Sequence, residues 1–289
     1  MRSCLVCGHS FEADDWQCPS CGRTPERIGK HLAFAPELAK DNDGYPAERY
    51  ALMPPLKKEH FWRKARNRLF IWSLHRYFPE ASSLLEIGSG NGAVLRAFRN
   101  EFPNLDVWGS DLYVTGLGAI EENVPGATVF QADARRLPFH EEFSVVAAFD
   151  VLEHIEKDLE VLKEMHKTTR PNGGILLSVP QHPFLWSQRD EALSHKRRYT
   201  RAELLSKVER SGFEVLRITS FITFPFPLMI LSSLRNKKKR ENYNPWAELT
   251  IGAPLSMCLD SVLACERKAI ELGISFPFGG SLFLAARRK

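Results

Sequence analysis

Ser82-Ser83-Leu84-Leu85-Glu86-Ile87-Gly88-Ser89-Gly90-Asn91-Gly92, continued by Ala93-Val94-Leu95-Arg96-Ala97-Phe98, is the stretch on which the fold turns. Its first half is an apolar run of strand length, and its second half opens a helical pattern that Pro103 closes. Between them stand Gly88, Gly90 and Gly92. Glycines at such a handover let the backbone come close to a ligand, at the carboxyl edge of an open α/β sheet. Alone the loop is ambiguous. Gly88, Gly90 and Ala93 fit the dinucleotide spacing G-x-G-x-x-G/A, and Asp111 follows about 20 residues on, as for an NAD ribose. A glycine turn that serves only packing is the plainer reading.

Outward from this loop, strand and helix signals alternate. LDVWGSD (105–111), ATVFQAD (127–133), FSVVAAF (143–149), GILLSVP (174–180) and FEVLRITSF (213–221) read as strands. GLGAIEENV (116–124), DLEVLKEMHKTTRPNGG (158–174, ending in a turn) and RAELLSKVERSG (201–212) read as the helices between them. That alternation predicts a parallel sheet with helices on both faces. GGSLFLAARRK closes the chain as a last, antiparallel strand. Residues 221–275 interrupt the order with a Pro-broken apolar stretch, a basic run and a helix. No internal repeat is visible. Residues 56–77 have helical apolar spacing and carry seven Lys/Arg against one Glu, and 23–55 read as linker and irregular wrapping.

The chain has 289 residues, 44% hydrophobic and 26% charged, with a net charge of +4. This composition excludes a disordered, collagenous or multi-span membrane protein, and the charge is too mild to imply nucleic acid by itself. No apolar run follows a basic start, so a cytoplasmic location is expected, without a secretory leader.

Cys4, Cys7, Cys18 and Cys21 are spaced C-x2-C-x10-C-x2-C, each pair followed by a glycine, Gly8 or Gly22. Two such turns can set four thiolates at the corners of a tetrahedron, which zinc prefers. Glycine permits φ > 0 there, so that backbone N–H groups reach the sulfurs. Disulfides would be disfavoured in a reducing cytosol, and a redox pair needs no second copy. The segment resembles a zinc ribbon or rubredoxin-like knuckle pair, holding structural zinc or iron. Cys258 and Cys265 read as small buried apolar side chains.

In order and spacing the motifs around the glycine loop resemble the class I S-adenosylmethionine-dependent methyltransferases, over about residues 80–220 and the last strand. The markers are the E-x-G-x-G-x-G loop, Asp111, Q-A-D-A-R-R-L-P-F around Asp133, F-D-V-L-E-H at the fourth strand and P-N-G-G-I-L-L-S-V-P at the fifth. The resemblance implies a Rossmann-like, doubly wound, mostly parallel seven-stranded α/β sheet with an antiparallel last strand. It implies domains at 1–28 (zinc ribbon), 29–79 (linker and helix) and 80–289 (with insertion 221–275). By the same resemblance Glu86, Gly88, Ser89 and Gly90 would hold the methionine part of S-adenosylmethionine. Asp111 would take the ribose hydroxyls with Leu112 on the adenine. Ala132, Asp133 and Ala134 would border the base, and Asp150 would lie near the sulfonium.

On the acceptor side, His154 is a candidate base, or with Glu153 part of a metal site for a hydroxylated acceptor. A helix-start histidine bonded to the backbone is the plainer reading. His182, Trp186, His195, Arg198 and Tyr199 are candidate acceptor residues, because loops at the carboxyl ends of strands carry substrate contacts. A surface loop held by an Arg–Asp bridge is the alternative. The branch resembled is the type-11, ubiquinone-biosynthesis-like one, which implies a small-molecule or lipid-like acceptor. Two other readings stay open: an RNA methyltransferase gripping RNA with the ribbon, and a non-catalytic binding protein. Residues 1–30 hold as many acidic as basic side chains, which argues against a phosphate clamp. The apolar run 221–231 followed by Arg235-Asn236-Lys237-Lys238-Lys239-Arg240 suggests a peripheral membrane contact, to which the basic helix 56–76 could add.

Overall fold

Alternate residues of the central strands point to opposite faces of one sheet, and each face has its own core. In the computed structural model, which describes residues 1–13, 15–39, 60–235, 243 and 252–289, four short strands come first. They are β1 (Arg2–Ser3), β2 (Ser10–Phe11), β3 (Glu26–Ile28) and β4 (His31–Ala33). Then follow α1 (Phe61–Tyr77), β5 (Ser83–Ile87), α2 (Ala93–Glu101), β6 (Asp106–Asp111), α3 (Val114–Asn123), β7 (Thr128–Gln131) and β8 (Phe143–Phe149). Next are α4 (Asp158–Thr168), β9 (Thr169–Pro180), α5 (Gln188–Ala192), α6 (Arg201–Arg210) and β10 (Phe213–Phe221). Finally come α7 (Phe226–Arg235), α8 (Ala253–Glu271) and β11 (Ser281–Arg288). The expected helix start at 56–59 and the basic run 236–240 lie outside the described residues.

The large sheet runs β10-β11-β9-β8-β5-β6-β7-β4-β3. Strands β7, β6, β5, β8 and β9 are mutually parallel, and β11 lies antiparallel between β9 and β10. Leu85, Ile87, Val146 and Ala148 face Val161, Leu162 and Met165 of α4 and Leu204 and Val208 of α6. Leu84, Val145 and Ala147 face the opposite core, made by α1, α2, α3 and α8. At its centre Phe70 stacks on Phe149 with ring centroids 3.9 Å apart. Strands buried on both faces read as continuous apolar runs, which is why β5 and β8 stood out in the sequence.

The sheet departs from the seven-stranded expectation at one edge. Residues 26–33, read from sequence as ribbon end and linker, form the β3–β4 hairpin, and β4 pairs in parallel with β7. The Gln131 side chain completes the junction: its Oε1 accepts from Ala35 N (3.0 Å) and its Nε2 donates to Ala35 O (2.7 Å). The turn expected after α4 is also different, since β9 begins at once, irregularly paired between Phe143 and Val145. Cys258 and Cys265 are exposed rather than buried; α8 turns Leu263, Glu266 and Ile270 inward and these two thiols away.

Each Cys pair closes a tight turn, Gly8 N donating to Cys4 O and Gly22 N to Cys18 O, with both glycines at positive φ. Cys4 and Cys21 sulfurs stand 3.7 Å apart, and Cys7 and Cys18 sulfurs 3.6 Å. A tetrahedron with metal–sulfur bonds of about 2.3 Å has edges of about 3.8 Å, whereas a disulfide is about 2.05 Å. The four thiols therefore already have the dimensions of a metal cage. Trp16 anchors the unit, edge-on to Phe34 (4.8 Å) and Phe139 (5.6 Å) with the Arg2 guanidinium over it.

Candidate functional site

The chain leaves β5 toward β6 on one side and later returns through β8 on the other. At the carboxyl ends of these strands opens a cavity of about 520 Å³. Ligands of open α/β sheets bind at such a switch point.

Glu86 reaches this cavity from the end of β5, 3% exposed, with one carboxylate oxygen lacking a hydrogen-bond partner. Burial pushes its carboxyl up to about 8, against the pull of Arg66 and with a smaller push from Asp111. Gly88 has φ +67°, and a Cβ there would meet Val151 Cγ2 at 2.6 Å, so the loop admits no side chain at this point. Ser89 fastens the loop, its hydroxyl donating to Glu86 O (2.8 Å) and its N–H to Ser110 O (3.0 Å).

The other expected cofactor acids have definite partners. The Asp111 carboxylate accepts from Gly90 N (3.0 Å) and Tyr113 N (3.1 Å), stitching the end of β6 to the glycine loop. Asp133 holds the Arg135 guanidinium in a fork of 2.7–3.0 Å. Gln131 Nε2 donates to Leu112 O (3.1 Å), and Ala132 N to Asp111 O (3.2 Å). Glu86, Gly88, Ser89, Gly90 and Asp150 line the cavity, whereas Asp111, Leu112, Ala132, Asp133 and Ala134 do not. Asp150 ends β8 at φ +58°, accepts from Ser178 Oγ (3.0 Å) and pairs with Arg66. A strained backbone held by two such partners is commonly found where a fold presents a side chain to a ligand.

On the far wall, ligand atoms of Glu153, His154 and His195 lie within 4.8 Å of one another. Glu153 is fully buried with both oxygens unpartnered. Burial first, then the negative charges of Asp150 and Asp190, push its carboxyl well above the usual range. Asp190 is buried too, but it accepts from His195 Nδ1 (2.9 Å), Arg198 Nε (2.7 Å) and Ser187 N (3.0 Å). Burial alone would raise its carboxyl; the hydrogen bonds from His195 and Arg198 and the Arg198 charge bring it below the usual value. A carboxylate behind an imidazole fixes the tautomer and the ring orientation.

Of the five expected acceptor residues, His195 and Arg198 line the cavity, and His182, Trp186 and Tyr199 do not. Tyr199 is a core residue: it is fully buried and its hydroxyl donates to Asp158 (2.7 Å), which Lys207 and Arg197 also bind. His182 sits at φ +64° among the rings of Phe184, Phe226 and Phe278, where burial and then Arg198 lower its pKa. The expected Arg–Asp bridge exists as Arg198–Asp190, inside the site rather than on the surface. Sequence reasoning missed the α1 contribution of Phe61, Trp62 and Arg66; the insertion 221–275, expected to form part of the acceptor site, supplies an apolar wall of Leu228, Met229 and Leu259. The Arg66 guanidinium lies 4.5 Å over the Trp62 ring, an i,i+4 pair that its basic surroundings concealed.

Comparison with known proteins gives this geometry a context. A "Probable S-adenosylmethionine-dependent methyltransferase" of Mycolicibacterium smegmatis is 26% identical over 166 residues, covering 56% of this chain and 63% of that one. The chain thus matches less than two thirds of this relative's length. Among solved structures, phosphoethanolamine N-methyltransferase 2 of Haemonchus contortus, bound to S-adenosyl-L-methionine, superposes with a TM-score of 0.52 at 19% identity. That match covers 77% of this chain and 52% of the other. A chain from the complex between the Haloferax volcanii Trm112 methyltransferase activator and a methyltransferase gives 0.54 at 16% identity, covering 83% and 93%. These two likenesses show a shared fold. The family model described as "Methyltransferase domain" matches residues 57–218, more than half the chain; with its glycine loop at the switch point of a sheet of this topology, the chain belongs to the methyltransferase domain family.

Proposed function

We propose that the protein transfers a methyl group from S-adenosylmethionine to a small-molecule or lipid-like acceptor with an apolar body. The observation that carries this reading is the pairing, in one cavity, of the buried, half-satisfied Glu86 carboxylate with the Arg66 guanidinium. An amino-acid zwitterion needs such a pair, an acceptor for its ammonium and a donor for its carboxylate. S-adenosylmethionine supplies, when bound, a methyl group on a positively charged sulfur. Glu86 and the Gly88–Gly90 backbone hold the amino-acid end, and Arg66 turns from Asp150 toward its carboxylate. Asp111 takes the ribose diol, and Leu112, Ala132, Asp133 and Ala134 border the base. NADH fits poorly, because nothing in it meets Glu86 with a positive charge.

Methyl displacement depends mainly on alignment, which the cavity walls provide. His154 is the proposed base for an acceptor that must lose a proton, with His195 held beside it by Asp190. Glu153, whose carboxyl is pushed well above the usual range by burial and by the Asp150 charge, stands beside them. A second reading has its own observation: the Glu153, His154 and His195 ligand atoms are close enough for one divalent cation, which would ionise Glu153 and bind a hydroxylated acceptor. In the N-terminal unit, Cys4, Cys7, Cys18 and Cys21 hold a structural zinc. RNA is the weaker acceptor, given the even charge of residues 1–30 and the apolar cavity wall. A non-catalytic role is weaker still, since Glu86, the Gly88–Gly90 backbone and Asp150 line one cavity.

Titration calorimetry with S-adenosylmethionine and NADH tests the cofactor: the first binds and the second does not compete. Tight NADH binding without S-adenosylmethionine binding would overturn the reading. Turnover of methyl-labelled cofactor against lipid, metabolite and RNA extracts then assigns the acceptor class.

A further inference from the structure

The segment between β9 and α6 folds around one buried carboxylate, that of Asp190. Its Oδ2 accepts from Ser187 N (3.0 Å) and meets Ser187 Oγ (3.4 Å), while its Oδ1 serves both His195 Nδ1 (2.9 Å) and Arg198 Nε (2.7 Å). Arg198 is thereby fixed in place but only partly used. Its Nη1 donates to Gln181 O at 3.3 Å, and its Nη2 has no hydrogen-bond partner among the described residues. The side chain is 9% exposed and lines the cavity, so the donors left over belong to the cavity and not to bulk water. A guanidinium keeps its charge at any physiological pH, and its rigid planar set of N–H groups matches the oxygens of a carboxylate or phosphate.

The charges around Arg198 favour the same kind of group. Glu86, Asp150 and Arg66 lie at the cofactor end. The remaining charged side chains that line the cavity, among the described residues, are Arg63, Arg189 and Arg198 against Glu153 alone. Both Glu153 oxygens lack a hydrogen-bond partner, so this carboxyl does not occupy the free edge of Arg198. Asp190, the carboxylate behind Arg198, is already divided between a guanidinium and an imidazole. The same cavity carries the apolar wall of Leu228, Met229 and Leu259.

We infer that the methyl acceptor is an amphipathic anion, whose carboxylate or phosphate oxygen is gripped by Arg198 Nη2 while the apolar wall covers its body. The inference rests on the acceptor reading above and deepens it by adding an acid to the apolar body. That grip sets the acid end beside His195, which shares Asp190 with Arg198.

Calorimetry on the full chain saturated with S-adenosylhomocysteine, the demethylated cofactor, provides the test, because the cofactor end and Arg66 are then filled. The probes are octanoate, octyl phosphate and octanamide, equal in chain length and different in head group. At least one acid should bind about tenfold or more tighter than octanamide, and the tighter of the two acids tells carboxylate from phosphate. The preference should persist at high salt, since a buried pair is screened less than a surface one. Arg198→Gln should erase the preference and leave octanamide binding within about twofold. Arg198→Lys keeps a charge for Asp190 but not the planar fork, and should lose part of the preference. Unchanged affinity of both variants for S-adenosylhomocysteine confirms that they fold. Octanamide binding as tightly as the acids, no probe binding, a preference that vanishes at high salt or survives Arg198→Gln, or an equal loss of all three probes in the variants overturns the inference. S-adenosylmethionine affinity, measured without any probe, judges the methyl-transfer reading by itself, so the two can fail separately.

Discussion

The two appendages of the methyltransferase domain are attached in opposite ways. The N-terminal unit is sewn in with its aromatic residues inward: Trp16 lies between Phe34 and Phe139, and β4 continues the hydrogen-bonded ladder of β7. Among its described residues, the insertion between β10 and β11 is anchored chiefly through α8. Leu263 and Ile270 are buried against the sheet, and Glu266 accepts from the Thr223 and Phe224 N–H groups (2.8 and 3.1 Å). Its other side keeps large apolar groups in water. One appendage completes the sheet; the other shapes an opening. Attachment by sequence order says nothing about which of the two an added segment will do.

Metal removal should separate them most sharply. The purified chain should carry about one tetrahedral metal ion, and Cys7→Ser or Cys18→Ser should abolish it with loss of order in residues 1–24. Metal analysis and hydrogen exchange check this; exchange that spreads into α7 and α8 would show that the appendages are coupled. Next in size, Trp16→Ala should destabilise the fold by about 3–5 kcal/mol, since it uncovers packed aromatic surface. Met257→Ala should change stability by less than about 0.5 kcal/mol. Denaturant unfolding compares the two, and equal losses would erase the contrast.

The cofactor site should be insensitive to the N-terminal unit. Removing residues 1–24 should leave S-adenosylmethionine affinity within about threefold, while Asp111→Ala costs about 1.5–3 kcal/mol of binding by removing a charged acceptor. Gln131→Ala should have a smaller effect, about 1 kcal/mol, by loosening both Ala35 and Leu112. The pH dependence carries a definite sign. Glu86 must be ionised to hold an ammonium and its carboxyl is raised to about 8, so affinity should fall as pH drops below 8, by at most about tenfold per unit. Glu86→Gln should flatten that profile. In the cofactor-free protein the sign reverses: the raised pKa favours the fold below the unfolded value near 4.3, and this contribution is lost as pH rises through about 8. Calorimetry and thermal unfolding across this range read the two signs independently.

What the sequence disclosed and what it hid follow one physical rule. The handover at Glu86–Gly92 and the strands β5 to β11 are written in contiguous apolar runs and turn residues, so they are legible locally. The Cys spacing is legible for the same reason. The β3–β4 hairpin is not, because three-residue strands draw their stability from the edge they cover and not from propensity. Arg66 was concealed because its role depends on Asp150, 84 residues away. Tyr199 misled because a tyrosine in a substrate-facing loop and one reaching back to Asp158 have the same local sequence. His182 and Asp133 sit near the expected region, but their partners are ring neighbours and Arg135, which spacing does not reveal.

The pairing of β4 with β7 has one more consequence. Without it β7 would end the sheet as a bare edge of unpaired N–H and C=O groups, a template on which any extended chain could add itself. With it, the outermost strand is β3, three residues long and turned back by Gly29. Such an edge is too short to offer a long ladder to another strand, so the N-terminal unit closes this side of the sheet, leaving the nine-residue β10 as the longer of the two edges.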